Sequence, residues 1–257
     1  MPFNDRQESI LKALRETGEV EVDALSREWG VTTQTVRRDL GELCDAGLAM
    51  RKHGGAKRMA AHNVVAYEDR RLKHILAKSA IASAAAQLVP NGASLSLNIG
   101  TTTEMVAEAL RLHTDLTVVS NNINIVHILR ASRLKSLVLI GGEVRLSDGA
   151  VIGGDAIKAL SNFKVDFAII GTSSIDPHGA ILDFDQREVS VARAVLENAR
   201  QRILVADVSK FEVSAPFKIC DATDLDYIIL NAPPPPSFVE SIEQSSTNLI
   251  ITGNDHG

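Results

Sequence analysis

Small polar residues follow several short aliphatic segments in the C-terminal two thirds of the sequence. These candidate ligand-binding residues are Gly100, Thr101, Thr102, Ser120, Asn121, Asn122, Gly142, Glu143, Gly171, Asp185, Glu188 and Lys210. Glycine and threonine that open a helix offer backbone N–H groups and hydroxyls to an anion. Lys210 adds a counter-charge for a phosphate, and Asp185 and Glu188 can accept hydrogen bonds from hydroxyl groups. The residue types therefore favour a small, phosphorylated and hydroxylated ligand.

Alternating strands and helices must position these residues. Strands are predicted over residues 93–99, 116–120, 136–140, 167–170, 203–206, 227–230 and 249–251. Helices are predicted over residues 102–112, 122–131, 150–160 and 188–200. This order predicts an α/β domain with a mostly parallel sheet covered on both faces. Ligands bind outside the carboxyl ends of such strands, where the polar residues are expected. Small residues also suit any strand-to-helix turn, but five such loops at one end of a sheet favour a site.

A second group of polar and basic residues lies near the N-terminus. A helix is predicted to begin after Asn4, with Gln7 completing a capping box, and to stop near Gly18. Residues 23–29 form a second helix that Gly30 ends, and a third helix follows Thr32. The third helix buries one apolar stripe at helical spacing: Val36, Leu40, Leu43 and Cys44. Two helices joined by a tight turn, followed by an alternating basic segment at residues 48–53, predict a winged helix-turn-helix.

The exposed residues of this unit suit the chemistry of duplex DNA. The candidate DNA-binding residues are Thr32, Thr33, Gln34, Thr35, Arg37, Arg38, Arg51, Lys52 and His53. In the major groove, Gln34 can read an adenine, and Arg37 or Arg38 a guanine. Arg51 and Lys52 would neutralise phosphates without reading sequence. A protein-interaction module with a solvated basic face is the structural alternative.

The charge distribution favours a polyanion partner at one end of the chain. The net charge is −5, yet residues 31–58 hold six basic and three acidic side chains. Residues 59–257 hold 17 basic and 22 acidic side chains. We divide the sequence into a DNA-binding domain at 1–57, a linker at 58–73 and an α/β ligand-binding domain at 74–257.

Several functional classes lack sequence support. No phosphate-binding P-loop, dinucleotide fingerprint, nucleophile elbow or zinc-protease motif occurs. The histidines lack metal-ligand spacing, and two cysteines make no disulfide framework, so we expect no metal and no cofactor. No apolar run approaches the roughly 20 residues of a membrane span, and no secretory signal is visible. We therefore expect a cytoplasmic protein without a membrane partner.

The sequence resembles the DeoR family of bacterial transcriptional regulators. The N-terminal segment VTTQTVRRDL at residues 31–40, together with 47–48 and 53–56, carries the DNA-binding part of the resemblance. The C-terminal part rests on residues 98–102, 119–122, 141–145, 153, 167–171, 183–185 with 188, and 207–211. The resemblance implies a sensor domain for phosphorylated sugars that is similar in fold to ribose-5-phosphate isomerase. It further implies a repressor of carbohydrate or glycerol catabolism, with glycerol 3-phosphate as the favoured effector. Since operator half-sites mirror protein symmetry, we expect a homodimer or homotetramer.

One position departs from the family pattern, and one alternative function remains. Members of the family often have a lysine-arginine pair where this chain has Ala192 and Arg193. If that lysine binds phosphate, Arg193 or Lys210 must substitute for it. The alternative is a phosphosugar isomerase or deaminase with an appended basic domain, in which Asp183, Asp185 and Glu188 supply acid–base chemistry. We predict a regulator with no catalytic residues.

Overall fold

The computed structural model describes residues 4–45, 49–52, 54–58 and 67–253, and the chain divides into the units Met1–Val65 and Ala66–Gly257. The N-terminal unit has helices α1 (Asp5–Thr17), α2 (Val22–Trp29) and α3 (Thr33–Asp45) and strands β1 (Glu19–Glu21), β2 (Ala49–Lys52) and β3 (Gly55–Arg58). The strands pair antiparallel in the order β1-β3-β2. This arrangement confirms the predicted winged helix-turn-helix. The three-residue β1 was not predicted, because so short a segment shows no period.

Local hydrogen bonds explain where the N-terminal helices begin and end. Asn4 Oδ1 accepts from the Gln7 backbone N–H, and Gln7 Oε1 accepts from the Asn4 N–H, both at 3.0 Å, as the predicted capping box requires. Gly30 ends α2 at a φ of 63°, a conformation that favours glycine. The Thr32 hydroxyl accepts from the backbone N–H of Thr35 at 3.2 Å and so caps α3. The helices pack around the buried side chains Ile10, Leu14, Leu25, Val36, Leu40 and Leu43.

The second unit is built on a parallel sheet, as predicted. Its strands in the described ranges are β4 (Ser94–Leu97), β5 (Thr117–Ser120), β6 (Ser136–Leu139), β9 (Val165–Ile170), β12 (Ala199–Ala206), β14 (Tyr227–Leu230) and β15 (Asn248–Ile251). Their order is β15-β14-β12-β9-β4-β5-β6, and every pairing is parallel. The chain adds β5 and β6 on one side of β4, then β9, β12, β14 and β15 on the other. The boundary between β4 and β9 is therefore the topological switch point, where open α/β sheets bind ligands.

Helices cover both faces of this sheet. They are α4 (Tyr67–Leu72), α5 (Ile75–Gln87), α6 (Thr101–Ala109), α7 (Ile123–Leu129), α8 (Gly154–Leu160), α9 (Gln186–Glu197) and α10 (Pro236–Ile242). Neighbouring residues of β12 point to opposite faces: Leu204 packs in the core of α8, α9 and α10, whereas Ile203 and Val205 pack in the core of α5, α6 and α7. Burial on both faces explains why the strands are almost continuously aliphatic.

Two small antiparallel sheets were not predicted. One pairs β7 (Glu143–Arg145) with β8 (Ala150–Ile152), and the other joins β10 (Ser174–Ile175), β11 (Ala180–Asp183) and β13 (Phe217–Asp221). The helix predicted over 150–160 is therefore wrong at its start, since α8 begins only at Gly154. The β-branched residues of β8 pair with β7, and Gly153, at a φ of 92°, separates strand from helix. Helix α4 lies inside the range predicted as a linker, 58–73, and belongs to the second unit.

Candidate functional site

The predicted DNA-contacting residues lie largely on the solvent side of α3. Gln34, Arg37 and Arg38 are exposed, opposite the buried stripe of the same helix. Thr32 is exposed, and Thr33 and Thr35 are half-buried at the start of the helix. The Arg38 guanidinium pairs with Glu42 at 3.2 Å, one turn along the helix. A convex polar helix face of this kind fits the major groove, which is wide enough to admit one helix.

The N-terminus of α1 fixes the position of α3. Asp39 is only 4% exposed, and its carboxylate accepts from Arg6 Nε at 2.8 Å. Gln7 Nε2 donates to the carboxylate of Glu42 at 2.6 Å. These bonds join α1 to α3 and leave the side chains of Gln34 and Arg37 exposed.

The wing holds two of the remaining candidate residues. Arg51 is exposed on β2. Lys52 is half-buried, and its Nζ lies 3.0 Å from Glu19 and 3.2 Å from Glu21 of β1. A phosphate contact by Lys52 would therefore compete with two carboxylates. His53 lies outside the described residues.

In the second unit, a cleft opens at the switch point between β4 and β9. Its void volume is about 530 Å³, including solvent at its mouth. The lining residues come from α4, α6, α9, β11, β13, the turn between β7 and β8, and the loops after β4, β5 and β9. They are Tyr67, Arg70, Asn98, Ile99, Gly100, Thr101, Glu104, Asn122, Asp148, Gly171, Thr172, Ser173, Asp183, Glu188, Ala192 and Ile219. Gly100, at a φ of 138°, has a conformation that other residues rarely adopt, and it brings the chain into α6.

The cleft gathers some of the predicted ligand-binding residues. Gly100, Thr101, Asn122, Gly171 and Glu188 line it. The remaining candidates are Thr102, Ser120, Asn121, Gly142, Glu143, Asp185 and Lys210, which are not among the lining residues.

Some of those remaining residues have structural contacts instead. The Ser120 hydroxyl donates to the Leu97 carbonyl at 2.8 Å, and Asn121 Nδ2 donates to the Val151 carbonyl at 3.0 Å. Asp185 caps α9 by accepting from the Arg187 backbone N–H at 2.9 Å. Thr102 is buried in α6, whereas Gly142 and Glu143 are exposed beside β7.

Three cationic side chains beside the cleft are close enough to interact electrostatically: Arg70, Lys78 and Lys210. We call them the cationic group. Lys78, on α5, is 4% exposed. Its Nζ donates to Thr101 Oγ1 at 3.0 Å and to the Arg70 carbonyl. Burial lowers the pKa of Lys78 to about 8, although the carboxylate of Asp207 acts in the opposite direction. Burial also lowers the pKa of Lys210. The carboxylates of Asp207 and Asp183 act to raise this pKa, and the positive charge of Arg70 acts to lower it. Further carboxylates act on the group: Glu104 on Lys78, and Asp148, which lies 3.9 Å from the Arg70 guanidinium.

Acidic residues occupy another part of the cleft. Burial and the neighbouring Asp183 raise the pKa of Glu188 to about 7. Burial likewise raises the pKa of Asp183. The Arg145 guanidinium pairs with Glu188, with Asp148 and, at 3.4 Å, with Asp185. This arginine therefore ties the β7–β8 hairpin to the start of α9.

A buried carboxylate, Glu104, joins three elements at the cleft wall. Tyr67 donates its hydroxyl proton to Glu104 Oε2 at 2.6 Å. The side-chain amides of Asn122 and Asn124 donate to Oε1 at 3.1 and 3.0 Å. Asn124 Nδ2 also donates to the Tyr67 hydroxyl at 3.0 Å. Helix α4 is thereby attached to α6 and α7.

Reasoning from strand ends missed several cleft residues for one reason. Tyr67 and Arg70 lie in the predicted linker, and Lys78 and Glu104 lie within helices. None of these positions follows a strand. One signal in the sequence could have pointed to Lys78. Its helix, ILAKSAIASAAAQ, is made mostly of small and apolar residues, and a buried helix of this kind rarely contains a lysine.

Neither a membrane span nor a metal centre is found among the described residues. Within those ranges no helix is both long and apolar enough to cross a bilayer. No group of three or more His, Cys, Asp or Glu side chains there could hold a metal ion. Burial raises the pKa of the Cys220 thiol to about 12, so this thiol stays protonated at neutral pH.

Family models match both units. The DeoR-like helix-turn-helix domain matches residues 6–61, and the DeoR C terminal sensor domain matches residues 73–232. The chain belongs to the DeoR family. It is 39% identical to the glycerol-3-phosphate regulon repressor of Haemophilus influenzae over 96% of each chain. It is 37% identical to the glycerol-3-phosphate regulon repressor of Escherichia coli over 97% of this chain and 99% of that protein.

These DeoR-family relatives are repressors, so the isomerase or deaminase alternative is not favoured. Among solved structures, ribose 5-phosphate isomerase from Plasmodium falciparum matches 52% of each chain at 17% identity and a TM-score of 0.37. Ala192, where family members often have lysine, lines the cleft. The adjacent Arg193 donates from Nε to the Ile219 carbonyl at 3.0 Å and also to the Lys218 carbonyl.

Proposed function

We propose that this protein is a cytoplasmic DNA-binding transcriptional repressor of a carbohydrate or glycerol catabolic regulon. Helix α3 enters the major groove of the operator, where Gln34, Arg37 and Arg38 contact base edges. Arg51, Lys52 and His53 of the wing contact phosphates. The exposed polar face of α3 and its support by Asp39 and Glu42 favour this orientation.

A small phosphorylated effector occupies the cleft of the sensor unit, and glycerol 3-phosphate is the favoured one. One observation carries this proposal: a buried lysine, Lys78, lies against Thr101 where α6 begins at the switch point. A helix N-terminus, the Thr101 hydroxyl and three cations favour a phosphate, although neighbouring carboxylates act on each of the cations. The names of the relatives point to glycerol 3-phosphate among phosphate esters.

The effector releases the repressor from its operator. If the effector prefers the conformation that binds DNA poorly, it lowers operator affinity by the same factor by which DNA lowers effector affinity. The protein acts as a homodimer or homotetramer, because operators with two half-sites match a two-fold symmetric protein. The mass of the purified protein in solution tests this assembly.

Thermal unfolding with candidate effectors tests the proposed function first. The probes are glycerol 3-phosphate, fructose phosphates, deoxyribose 5-phosphate and inorganic phosphate. A ligand at about one hundred times its dissociation constant stabilises the folded state by about 2.7 kcal/mol. We expect a shift with glycerol 3-phosphate and release of the protein from operator DNA at the same concentrations. If no probe changes the unfolding temperature, the sensor assignment is contradicted. If the protein turns over any sugar phosphate, the enzyme alternative is restored.

A further inference from the structure

Asn98 is the first residue after strand β4, which pairs with the central strand β9, and it lines the cleft. Its backbone N–H donates to the Ile169 carbonyl of β9 at 3.1 Å, which fixes its position at the switch point. The side chain lines the cleft and is 4% exposed. Its Oδ1 is buried and has no hydrogen-bond partner within the described part of the chain.

A buried amide oxygen without a donor destabilises the folded state, because it has lost its hydrogen bonds to water. Other buried oxygens in the described ranges also lack partners, including those of Ser96 and Asn121, but these residues do not line the cleft. Among the cleft residues that the structure describes, Asn98 is the one with such an atom. As the side chain stands, Oδ1 is not exposed to the cleft, so a bound molecule can meet it only when the amide turns.

Three carboxylates at the cleft already accept hydrogen bonds from the protein. Glu104 accepts from Tyr67 and from two asparagine amides. Glu188 accepts from Arg145, and Asp183 accepts from the Phe184 backbone N–H at 2.6 Å. A ligand hydroxyl that donates its proton thus finds an unused acceptor at Asn98.

A phosphate group cannot meet this need, because a phosphate dianion only accepts hydrogen bonds. An alcohol hydroxyl both donates and accepts. The two ends of an amide exchange by rotation about χ2, so Asn98 can turn its oxygen toward such a hydroxyl. The cationic group takes the phosphate end of the same molecule.

We propose that Asn98 is a specificity-determining residue that accepts a hydrogen bond from a hydroxyl of the effector and thereby selects phosphorylated polyols over phosphate esters that lack this hydroxyl. This inference rests on the proposed function, because it requires a phosphate ester in the cleft. It adds the residue that reads the hydroxylated end of that ester. A site built to hydrogen-bond a ligand hydroxyl commonly binds an analogue without that hydroxyl at least an order of magnitude more weakly. The reason is that the analogue leaves the buried polar group of the site unpaired.

Calorimetric titration of the full chain tests the assignment. The probes are glycerol 3-phosphate and two analogues that each lack one hydroxyl, 1,2-propanediol 1-phosphate and 1,3-propanediol phosphate. The variants are Asn98→Leu, similar in size but without hydrogen-bonding groups, and Asn98→Ser. Ser96→Ala is the matched control, since it removes an unpartnered oxygen two residues before Asn98 and outside the cleft.

We expect the unmodified protein to bind glycerol 3-phosphate at least tenfold more tightly than one of the analogues. In Asn98→Leu this ratio should fall below threefold, whereas Ser96→Ala should keep it. Thermal unfolding without ligand should show Asn98→Leu to be at least as stable as the unmodified protein, because the variant removes an unsatisfied buried group. If Asn98→Leu does not fold, the ratio is read from Asn98→Ser.

Two results would overturn the inference while leaving the proposed function intact. One is equal affinity of the unmodified protein for glycerol 3-phosphate and both analogues. The other is an unchanged ratio of affinities for glycerol 3-phosphate and the analogue in Asn98→Leu, or in Asn98→Ser if Asn98→Leu does not fold. If the unmodified protein binds none of the three esters, glycerol 3-phosphate is not the effector, and the role of Asn98 fails with that assignment.

Discussion

The Nζ atom of Lys78 lies 3.0 Å from the Oγ1 atom of Thr101, the first residue of α6. A buried ammonium group beside a helix N-terminus is electrostatically unfavourable, because both carry positive charge. Arg70 and Lys210 increase this cost, and Asp207 offsets part of it. A bound phosphate would stabilise the charged form of Lys78, so this pair of residues is the centre of the proposed effector site.

Replacing Lys78 with methionine should weaken effector binding selectively. We expect at least a tenfold loss of affinity for glycerol 3-phosphate, or about 1.4 kcal/mol. Operator binding without effector should not change, because the residue lies in the sensor unit. Calorimetry and electrophoretic mobility shift assays measure the two quantities. Lys158→Met, at an exposed position of α8, is the control, and equal effector affinity of the two variants would refute the assignment.

The lowered pKa of Lys78 predicts a rise in stability at alkaline pH. The folded protein releases this proton near pH 8, whereas the unfolded chain holds it to about 10.5. Between these values the unfolded state binds more protons, so the free energy of unfolding increases with pH. The shift corresponds to roughly 3 kcal/mol between pH 8 and 10.5.

In Lys78→Met this increment should be absent, and a smaller rise from Lys210, whose pKa is also lowered, should remain. Urea unfolding at pH 7.5, 9 and 10.5 measures the difference between the two proteins. Parallel stability curves would show that the folded protein does not destabilise the charged form of Lys78.

Arg37 and Lys52 should differ in what they contribute to DNA binding. Arg37→Ala is expected to cost about 1–3 kcal/mol on a selected operator and to relax the preference at one base pair. Lys52→Ala should weaken all duplexes alike and reduce the salt dependence by about one phosphate contact. Binding to the operator and to random DNA over a range of salt concentrations measures both effects. A uniform loss in Arg37→Ala would mean that this residue contacts phosphate only.

Gly55 should not tolerate a side chain. A Cβ atom there would lie 2.1 Å from the Val20 carbonyl oxygen of β1. Gly55→Ala should therefore separate β1 from β3 and reduce operator affinity, while glycerol 3-phosphate binding remains. Gly141→Ala is the control, because nothing lies within 4 Å of its added Cβ. Normal operator binding by Gly55→Ala would show that the wing accommodates the methyl group.

Much of the fold could be predicted from the sequence, since it depends on local periods and on residue chemistry. The capping residues Asn4 and Gln7 mark the start of α1, and the stripe of Val36, Leu40 and Leu43 defines the face of α3. The parallel strands were recognisable because burial on both faces makes them continuously aliphatic. The strands β7, β8, β10, β11 and β13 were missed because segments of two to five residues are too short to show a repeating pattern. The pairing of β11 with β13 also joins segments that are distant in the sequence.

The sequence by itself determined which residue types are present for binding, and the helix face from which Gln34 and Arg37 point. Only the tertiary structure decided which of the small polar loops form one site. Strand order places β4 beside β9, about 70 residues apart in sequence, and this brings Asn98 and Gly171 into one cleft. The fold also buries Lys78 against Thr101, because α5 packs on α6. The charge of a lysine can be read from its sequence, but the environment that makes it a ligand site comes from packing between segments distant in the chain.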